Sequence, residues 1–435
     1  MTAALDTLRQ NALRTPEDID KWLDLCGAAE NARDYATVLL AGDQIVRLAP
    51  NGAAAHYIRG LALHYLDRSD ESIAAYRRVV DCDPAYLDAW INLGHEYQAM
   101  NRLAEAEHAY RRAIAVSGQE ARDETAADAD YGSMYWNLAV VELLRGDLAG
   151  GFRHYPARFK ATVRRRPDFP QPLWRGEDLH GKTILITVDQ GHGDTLMMAR
   201  YVPLLRVRGG RVLFQVQPAL FSLFTGWGGA DVVLRADEAV TLPFDYHADI
   251  FDLPCRFSTT LDTVPAAPYL PLPQESIRLP ETGKPKIGLT WCGFSGHAND
   301  ARRSMPLAAL AALCEIRGAD FYALVRDKRP GDDGLLAQLP VADLGQSLGD
   351  FSDSARFIGQ LDLVITCDTA IAHLAGGMGK PVWVLLPFAP SWCWLMERED
   401  SPWYPTARLF RQQKPGDWQG VVTNVAKALS DRFGL

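Results

Sequence analysis

The pattern of apolar and polar residues changes near Arg166, and the change divides the chain into two kinds of sequence. Before it, the same residue types return with a fixed period of 34, which is typical of a stacked helical repeat. After it, short apolar runs such as the one at 183–188 alternate with helical stretches. Strand, helix and strand at this spacing predict a parallel sheet with crossover helices. The sequence therefore predicts an α-helical array followed by an α/β region.

The repeat is clearest in a copy that begins at Leu87. Its signature positions hold aromatic, apolar and small residues at regular spacing: Trp90, Leu93, Gly94, Tyr97, Ala106, Tyr110 and Ala113. This pattern resembles the tetratricopeptide repeat. A copy from Ala53 keeps fewer of these residues, a copy from Ile19 keeps fewer still, and a degenerate copy follows an acidic insertion at 121–131. We predict three to four helical hairpins over residues 1–165.

The small residues of the array have a predicted packing role. Gly60, Gly94 and Ala106 let paired helices approach closely, while Tyr76 and Tyr110 fill the gap to the next hairpin. Stacked hairpins of this kind leave a concave groove that can bind an extended peptide. A short array can also serve only as a packing or dimerisation platform. We favour the first use, and we expect a protein or peptide partner in the groove.

The α/β region falls into two halves. A connector at 267–285 holds five prolines, and a fresh series of strand-like and helical stretches follows it. The segments 166–280 and 281–435 are therefore predicted to be two Rossmann-like domains. Open α/β sheets bind ligands at the carboxyl ends of their strands, so we expect a cleft between those ends.

The first candidate loop follows the strand-like run at 183–188 and precedes a helix. Gly191 and Gly193 allow a tight glycine turn, and the start of a helix favours an anion. A nicotinamide fingerprint is excluded because Leu196 stands where the third glycine is needed. The turn presents Asp194 to the cleft, either as a catalytic carboxylate or as a plain helix N-cap.

The second candidate loop follows the apolar run DLVIT of the second half. Asp368 and Thr369 stand at a predicted helix start, and His373 lies one turn further on the same face. Free backbone N–H groups, the threonine hydroxyl and a ring N–H can bind a diphosphate, while the aspartate accepts from a sugar hydroxyl. A capped helix with a core histidine is the other interpretation. A second glycine turn is predicted at Gly376 and Gly377.

Composition narrows the classes of protein. The formal charge of −9 argues against a dedicated nucleic-acid binder. We expect neither a signal peptide nor a membrane-spanning helix, because no apolar run is long enough. Seven scattered cysteines without a CxxC pair fit a reducing cytoplasm, and they indicate neither a disulfide framework nor a zinc site.

Four segments then carry a second resemblance. They are DQGHGDTLMMARYVPLL, GLTWCGFSGHANDARRSMPL, DLVITCDTAIAHLAGGMGKPVWVLLP and SPWYPTARLFRQ, in that order. Together they resemble the repeat-containing bacterial proteins of the heptosyltransferase-like glycosyltransferase family, over about residues 167–430. The resemblance implies a GT-B fold, a nucleotide-sugar donor bound mainly by the C-terminal half, and inverting transfer without a metal ion or other cofactor. It assigns the general base to Asp194, and donor binding to Asp368, Thr369 and His373.

Several further residues are candidates for the same reaction. Arg302 and Arg303 are the cations that we favour for the departing diphosphate, with Ser304 as a phosphate-binding or capping hydroxyl; a solvated charge pair is the alternative. Aromatic residues near the C-terminus can stack on a base or sugar, but we favour packing between domains for them. They are Trp392, Trp394, Trp403 and Tyr404.

Two departures from the family pattern keep a second function open. His192 stands between the two glycines of the first loop, and Met197 and Met198 follow where a polar residue is expected. The first hypothesis is a cytoplasmic glycosyltransferase whose repeats present a protein or peptide hydroxyl. The second is a repeat scaffold with an inert or merely nucleotide-binding glycosyltransferase-like module.

Overall fold

The computed structural model describes residues 2–118, 129–162, 164–273, 278–296 and 299–435. Most of the acidic insertion predicted at 121–131 lies outside these residues. The chain forms two compact units. The first comprises Met1–Glu142 with Ala157–Val163, and the second comprises Leu143–Pro156 with Arg164–Leu435.

The N-terminal part of the chain is helical. Its helices are α1 (Thr2–Arg14), α2 (Ile19–Asn31), α3 (Tyr35–Leu48), α4 (Ala53–Tyr65), α5 (Ser69–Cys82), α6 (Leu87–Ala99), α7 (Leu103–Ser117), α8 (Ala129–Leu144), α9 (Leu148–His154) and α10 (Arg158–Ala161). The turns within three successive helix pairs each contain one residue with positive φ: Arg33, Asp67 and Asn101, at 57°, 56° and 56°. These residues are 34 positions apart, so the backbone repeats with the period of the sequence. The predicted helical repeat array is confirmed.

Close packing inside the pairs α4–α5 and α6–α7 depends on glycine. A Cβ at Gly60 would lie 2.7 Å from the ring of Tyr76, and a Cβ at Gly94 would lie 2.4 Å from the ring of Tyr110. Both tyrosines are fully buried. In these two pairs the second helix therefore inserts an aromatic ring where the first helix carries only hydrogen, as the spacing of small and aromatic residues predicts.

The second unit contains two sheets whose strands are all parallel. The first sheet holds β1 (Thr183–Thr187), β2 (Arg211–Val216), β3 (Val232–Arg235) and β4 (Tyr246–Asp249), in the order β3-β2-β1-β4. Its helices are α11 (His192–Met198), α12 (Val202–Val207), α13 (Pro218–Phe224) and α14 (Leu253–Arg256). In register, Ile184 of β1 faces Val212 of β2 and Tyr246 of β4.

The second sheet has six strands, in the order β10-β9-β8-β5-β6-β7. They are β5 (Lys286–Thr290), β6 (Asp320–Ala323), β7 (Val341–Asp343), β8 (Leu363–Cys367), β9 (Val382–Leu386) and β10 (Ala407–Arg411). Its helices are α15 (Asp300–Arg303), α16 (Leu307–Cys314), α17 (Asp332–Leu336), α18 (Phe351–Gly359), α19 (Ala370–Gly377) and α20 (Trp418–Phe433). Every residue of β5, β8 and β9 is buried, as expected for central strands covered on both faces. The predicted parallel α/β region is confirmed.

The strand order fixes where a ligand can bind. The direction of winding reverses between β1 and β4 in the first sheet and between β5 and β8 in the second. Loops diverge at such switch points and leave a crevice at the carboxyl ends of the strands. Both candidate loops lie there, because one follows β1 and the other follows β8.

Candidate functional site

The two candidate loops meet through helices α11 and α19. A Cβ at Gly193 would lie 2.8 Å from Cδ2 of His373 and 3.3 Å from Cα of Ala370. Any side chain at residue 193 would therefore push the two helices apart. The structure brings together two segments that are almost 180 residues apart in the sequence.

Asp194 stands in the first turn of α11, three residues after the N-cap residue Gly191. Its Oδ2 accepts a hydrogen bond of 3.0 Å from the backbone N–H of Gly191. Burial raises the pKa of the carboxyl from 3.8 to about 6; the Gly191 bond lowers it, Asp368 raises it, and smaller effects come from Arg164 and Asp189. Asp194 is thus not the N-cap itself, and its carboxylate has a pKa that suits proton transfer near neutral pH.

Asp368 and Thr369 lead into α19 and are both buried. Oδ1 of Asp368 accepts a hydrogen bond of 2.8 Å from the indole N–H of Trp394. Thr369 is the N-cap residue of α19, and its hydroxyl lies 3.0 Å from that of Thr366. The N-terminal N–H groups of α19 start at this point, at the carboxyl end of β8.

His373 lies one turn into α19 and is also buried. Its Nδ1 is 2.8 Å from the hydroxyl of Tyr404, and its ring stacks on Trp394 with centroids 5.2 Å apart. Burial, with help from the cations Arg200 and Arg303, lowers the pKa of the imidazole to about 3. The ring is therefore neutral at physiological pH and carries a single N–H.

Three residues were predicted to bind the departing diphosphate: Arg302, Arg303 and Ser304. Of these, Arg303 and Ser304 lie near α19. Nη1 of Arg303 donates to the backbone carbonyl of Asp368 at 3.2 Å. The hydroxyl of Ser304 donates to Asp300 at 2.9 Å and accepts from the backbone N–H of Gly293 at 3.2 Å. Ser304 thus ties the loop after β5 together.

The structure does not place Arg302 with this group, because its side chain is exposed at the surface. A different arginine, Arg329, which the sequence analysis did not single out, lies in the loop cluster with Arg303 and Ser304. Arg329 pairs with Asp300 and donates to the carbonyl of Gly293 at 3.3 Å. It follows β6, at the same end of the sheet, and no local motif marks it.

The two predicted glycine turns have different structures. Gly191 and Gly193 begin α11, where the backbone turns and approaches α19. Gly376 and Gly377, expected to form a turn, lie inside the last turn of α19. A Cβ at residue 376 would lie 2.5 Å from the ring of Tyr404, and one at residue 377 would lie 2.6 Å from the side chain of Leu270. This second pair allows close packing on a helix.

The C-terminal aromatic residues pack in the interior of the second unit. Trp392 and Trp403 form a T-shaped pair with centroids 5.7 Å apart. Trp394 lies in the candidate site itself, between Asp368 and His373. The hydrogen bond from Trp394 to Asp368 could not be inferred from the residues next to Trp394 in the sequence.

The residues singled out at the first loop, His192, Met197 and Met198, have different surroundings. Met197 and Met198 are buried in the core, so their apolar character follows from packing. His192 is exposed at the start of α11, and its ring lies 5.2 Å from that of Phe351, the first residue of α18. His192 therefore lies at the rim of the candidate site.

An open pocket of about 340 Å³ lies beside the site, at the carboxyl ends of β6 and β7. Its surface is about as apolar as it is polar, and its lining consists of Arg326, Asp327, Lys328, Gly345, Gln346, Leu348 and Gly349. Within the described ranges, no three His, Cys, Asp or Glu side chains gather as metal ligands. No helix in the described part of the chain is both long and apolar enough to cross a bilayer.

Comparison with known proteins bears mainly on the helical array. The family described as tetratricopeptide repeat matches residues 53–86 and 87–120. These residues are tetratricopeptide repeats. The chain is also similar to protein FlbA of Caulobacter vibrioides, with 26% identity over 460 residues, covering 98% of this chain and 70% of FlbA. Tetratricopeptide repeat protein 37 of Xenopus laevis is 36% identical over 70 residues, which are 16% of this chain and 4% of that protein.

Solved structures that match part of the chain include MamA, with 20% identity, a TM-score of 0.32, and coverage of 36% of this chain and 86% of MamA. Another is the TPR2B domain of yeast Sti1 in complex with pHsp70. It has 19% identity, a TM-score of 0.25, and coverage of 28% of this chain and 95% of that domain.

Proposed function

We propose that the chain is an inverting glycosyltransferase of GT-B architecture that moves a sugar from a nucleotide-sugar donor to a hydroxyl group of a protein or peptide. The observation that carries the proposal is the position of Asp194. Its carboxylate, with a pKa of about 6, stands at a switch point of the first sheet, where α11 packs against the start of α19. The resemblance of residues 167–430 to heptosyltransferase-like enzymes points to the same reaction.

The donor site is proposed at the carboxyl end of the second sheet. The N–H groups at the start of α19 and the guanidinium of Arg303 favour a diphosphate there. The open pocket at the carboxyl ends of β6 and β7 lies at the same edge of the second sheet, two to three strands from β8, and it is proposed to take the nucleoside. Asp368 then accepts a hydrogen bond from the sugar or the ribose.

The proposed reaction is a single displacement. The acceptor oxygen attacks the anomeric carbon, the bond from that carbon to the diphosphate oxygen breaks, and the acceptor proton moves to Asp194. The products are the glycoside with inverted configuration and the nucleoside diphosphate. General-base catalysis of this kind contributes about 10²–10⁴-fold in rate. The helix start and Arg303 stabilise the negative charge of the departing group.

The tetratricopeptide repeats are proposed to bind the acceptor protein. Stacked repeats form a curved surface with many separate contact positions along an extended segment. No metal ion enters the proposed reaction, because the helix start and arginine side chains supply the positive charge. The seven free cysteines fit a proposed site of action in the cytoplasm.

The first experiment is a thermal-unfolding panel with ADP-, GDP- and UDP-sugars, in EDTA and in Mg²⁺. A donor at 100 times its Kd should stabilise the folded state by about 2.7 kcal/mol. We expect one base to raise the Tm equally in both buffers. Asp194→Asn should keep this shift but lose transfer to an acceptor by at least about 100-fold.

The second candidate function is the non-catalytic repeat scaffold. It is favoured by one observation, namely that Trp394 already donates a hydrogen bond to Asp368. If no nucleotide sugar changes the Tm, the scaffold becomes the better account. If Asp194→Asn transfers sugar at the wild-type rate, Asp194 is not the general base.

A further inference from the structure

Arg200 is a buried cation with an unusual set of partners. It follows α11 and is 2% exposed. Among the described residues its hydrogen bonds go to uncharged oxygens: the carbonyls of Met197, Pro265 and Trp403, at 2.9, 3.1 and 2.8 Å, and the hydroxyl of Tyr269 at 3.1 Å. A buried charge is normally paired with an opposite charge, because desolvation is costly. An arginine held in this way needs another source of stabilisation.

That stabilisation comes from three aromatic rings. The guanidinium carbon lies 4.6 Å from the ring centroid of Tyr269, 5.1 Å from Trp403 and 5.0 Å from Tyr404. A cation over an aromatic face is attracted by the ring quadrupole, and the attraction grows when water is excluded. Arg200 thus holds together rings from two segments that are more than 130 residues apart.

Tyr404 connects this cluster to the candidate site. Its ring packs against Arg200, and it also packs against Gly376 of α19, where a Cβ would lie only 2.5 Å from the ring. Its hydroxyl is 2.8 Å from Nδ1 of His373. The ring is therefore clamped, and the hydroxyl can reach a single nitrogen of the imidazole.

The direction of this hydrogen bond decides which nitrogen of His373 carries the proton. Burial raises the pKa of the Tyr404 hydroxyl, but the charge of Arg200 acts in the opposite direction. That charge repels the positive end of the O–H dipole and so favours an O–H that donates to Nδ1. The neutral ring must then carry its hydrogen on Nε2. Nε2 lies on the side of α11, 3.5 Å from where a Cβ of Gly193 would stand.

We propose that Arg200 is a positioning residue that acts through Tyr404 to fix the ring of His373 with its proton on Nε2, as a hydrogen-bond donor to the donor diphosphate. The role in donor binding rests on the proposed function. The state of His373 does not, because it is a property of the protein without ligand.

The test uses the full chain labelled with ¹⁵N-histidine. Long-range ¹H–¹⁵N correlation spectra distinguish the two neutral tautomers, and His373→Gln identifies the signals of His373. We expect the Nε2–H tautomer in the wild type and a mixture of tautomers in Tyr404→Phe, which removes one oxygen and keeps the ring. Tyr201→Phe is the matched control, because Tyr201 is equally buried but bonds to Thr259 at 3.0 Å.

An Nδ1–H tautomer in the wild type, or an unchanged His373 signal in Tyr404→Phe, overturns the assignment. Arg200→Met should have the same effect as Tyr404→Phe where it folds, as judged by circular dichroism. If a nucleotide binds the wild type, Tyr404→Phe should raise its Kd about 5–10-fold while Tyr201→Phe leaves it unchanged. Equal Kd values for the wild type, Tyr404→Phe and Tyr201→Phe refute the role in donor binding. If the tautomers behave as expected and no nucleotide binds any variant, the proposed function fails and the assignment of His373 stands.

Discussion

Replacing Asp194 with asparagine should make the folded protein more stable at neutral and alkaline pH. Burial, and less strongly the carboxylate of Asp368, raises the pKa of Asp194 from 3.8 to about 6. Ionising the group therefore costs the folded protein up to about 3 kcal/mol more than it costs the unfolded chain. Asparagine has the same shape, never ionises, and keeps an oxygen that can accept from Gly191, a bond of 3.0 Å in the wild type.

The sign and the pH range follow from the raised pKa. The folded state binds this proton more tightly than the unfolded state, so the wild type loses stability as the pH rises from about 4 to about 6. The variant has no such loss. The difference in the free energy of unfolding should be about 0.5 kcal/mol at pH 4 and reach about 2–3 kcal/mol above pH 7.

Urea-induced unfolding of both proteins between pH 4 and pH 8.5 measures this difference. Asp353→Asn is the matched control, because Asp353 holds the same position in the first turn of α18 and accepts from Gly349 at 2.9 Å. Its carboxylate pairs with Arg356 at 2.7 Å, so this substitution should cost stability by up to about 1 kcal/mol and should gain none. Equal stability of wild type and Asp194→Asn at pH 8 would refute the reasoning.

The remaining predictions concern the donor site and the repeats. Asp368→Ala should weaken the binding of a nucleoside diphosphate at least about 10-fold and lower the Tm, because it also leaves the buried indole N–H of Trp394 without its acceptor. Asp368→Asn should restore the Tm but not the affinity in calorimetric titrations, and full affinity in this variant would move the donor site elsewhere. Gly94→Ala should destabilise the repeats by about 1–3 kcal/mol in urea unfolding, because the new Cβ would lie 2.4 Å from the ring of Tyr110. Gly27→Ala, on a helix with nothing within 4 Å of the new Cβ, should instead stabilise them by up to about 1 kcal/mol; a loss in both variants would contradict the packing argument.

The parts of the fold that could be predicted are those determined by patterns within short stretches of sequence. The repeats follow from a period of 34, which returns in the positive φ angles at Arg33, Asp67 and Asn101. The parallel sheets follow from short apolar runs separated by helices. Asp194 and His373 could be placed at strand ends because the runs before them are local signals. Their meeting depends on Gly193, whose missing side chain lets α11 and α19 touch.

The rest of the site depends on contacts between distant residues. Arg200 donates to the carbonyl of Trp403, 203 residues further along the chain, and no pattern near either residue indicates the contact. Trp394 reaches Asp368 across 26 residues in the same way. The contact between Gly376 and Tyr404 is another example. Glycines near a predicted helix end suggest a turn, but Gly376 lies within α19, and the position of the Tyr404 ring explains why a glycine is needed there.

The segment Leu143–Pro156 belongs to the same compact unit as the two sheets. Its Phe152 and Tyr155 are buried, the first in a T-shaped contact with Trp392 at 5.6 Å and the second stacked on Phe251 at 4.9 Å. A truncated chain that starts after this segment would lack both residues and would expose to water the faces of Trp392 and Phe251 that they cover. The chain therefore passes between the two units at Leu143, again after Pro156 and again at Arg164, so no single cut in the sequence separates the helical array from the α/β unit.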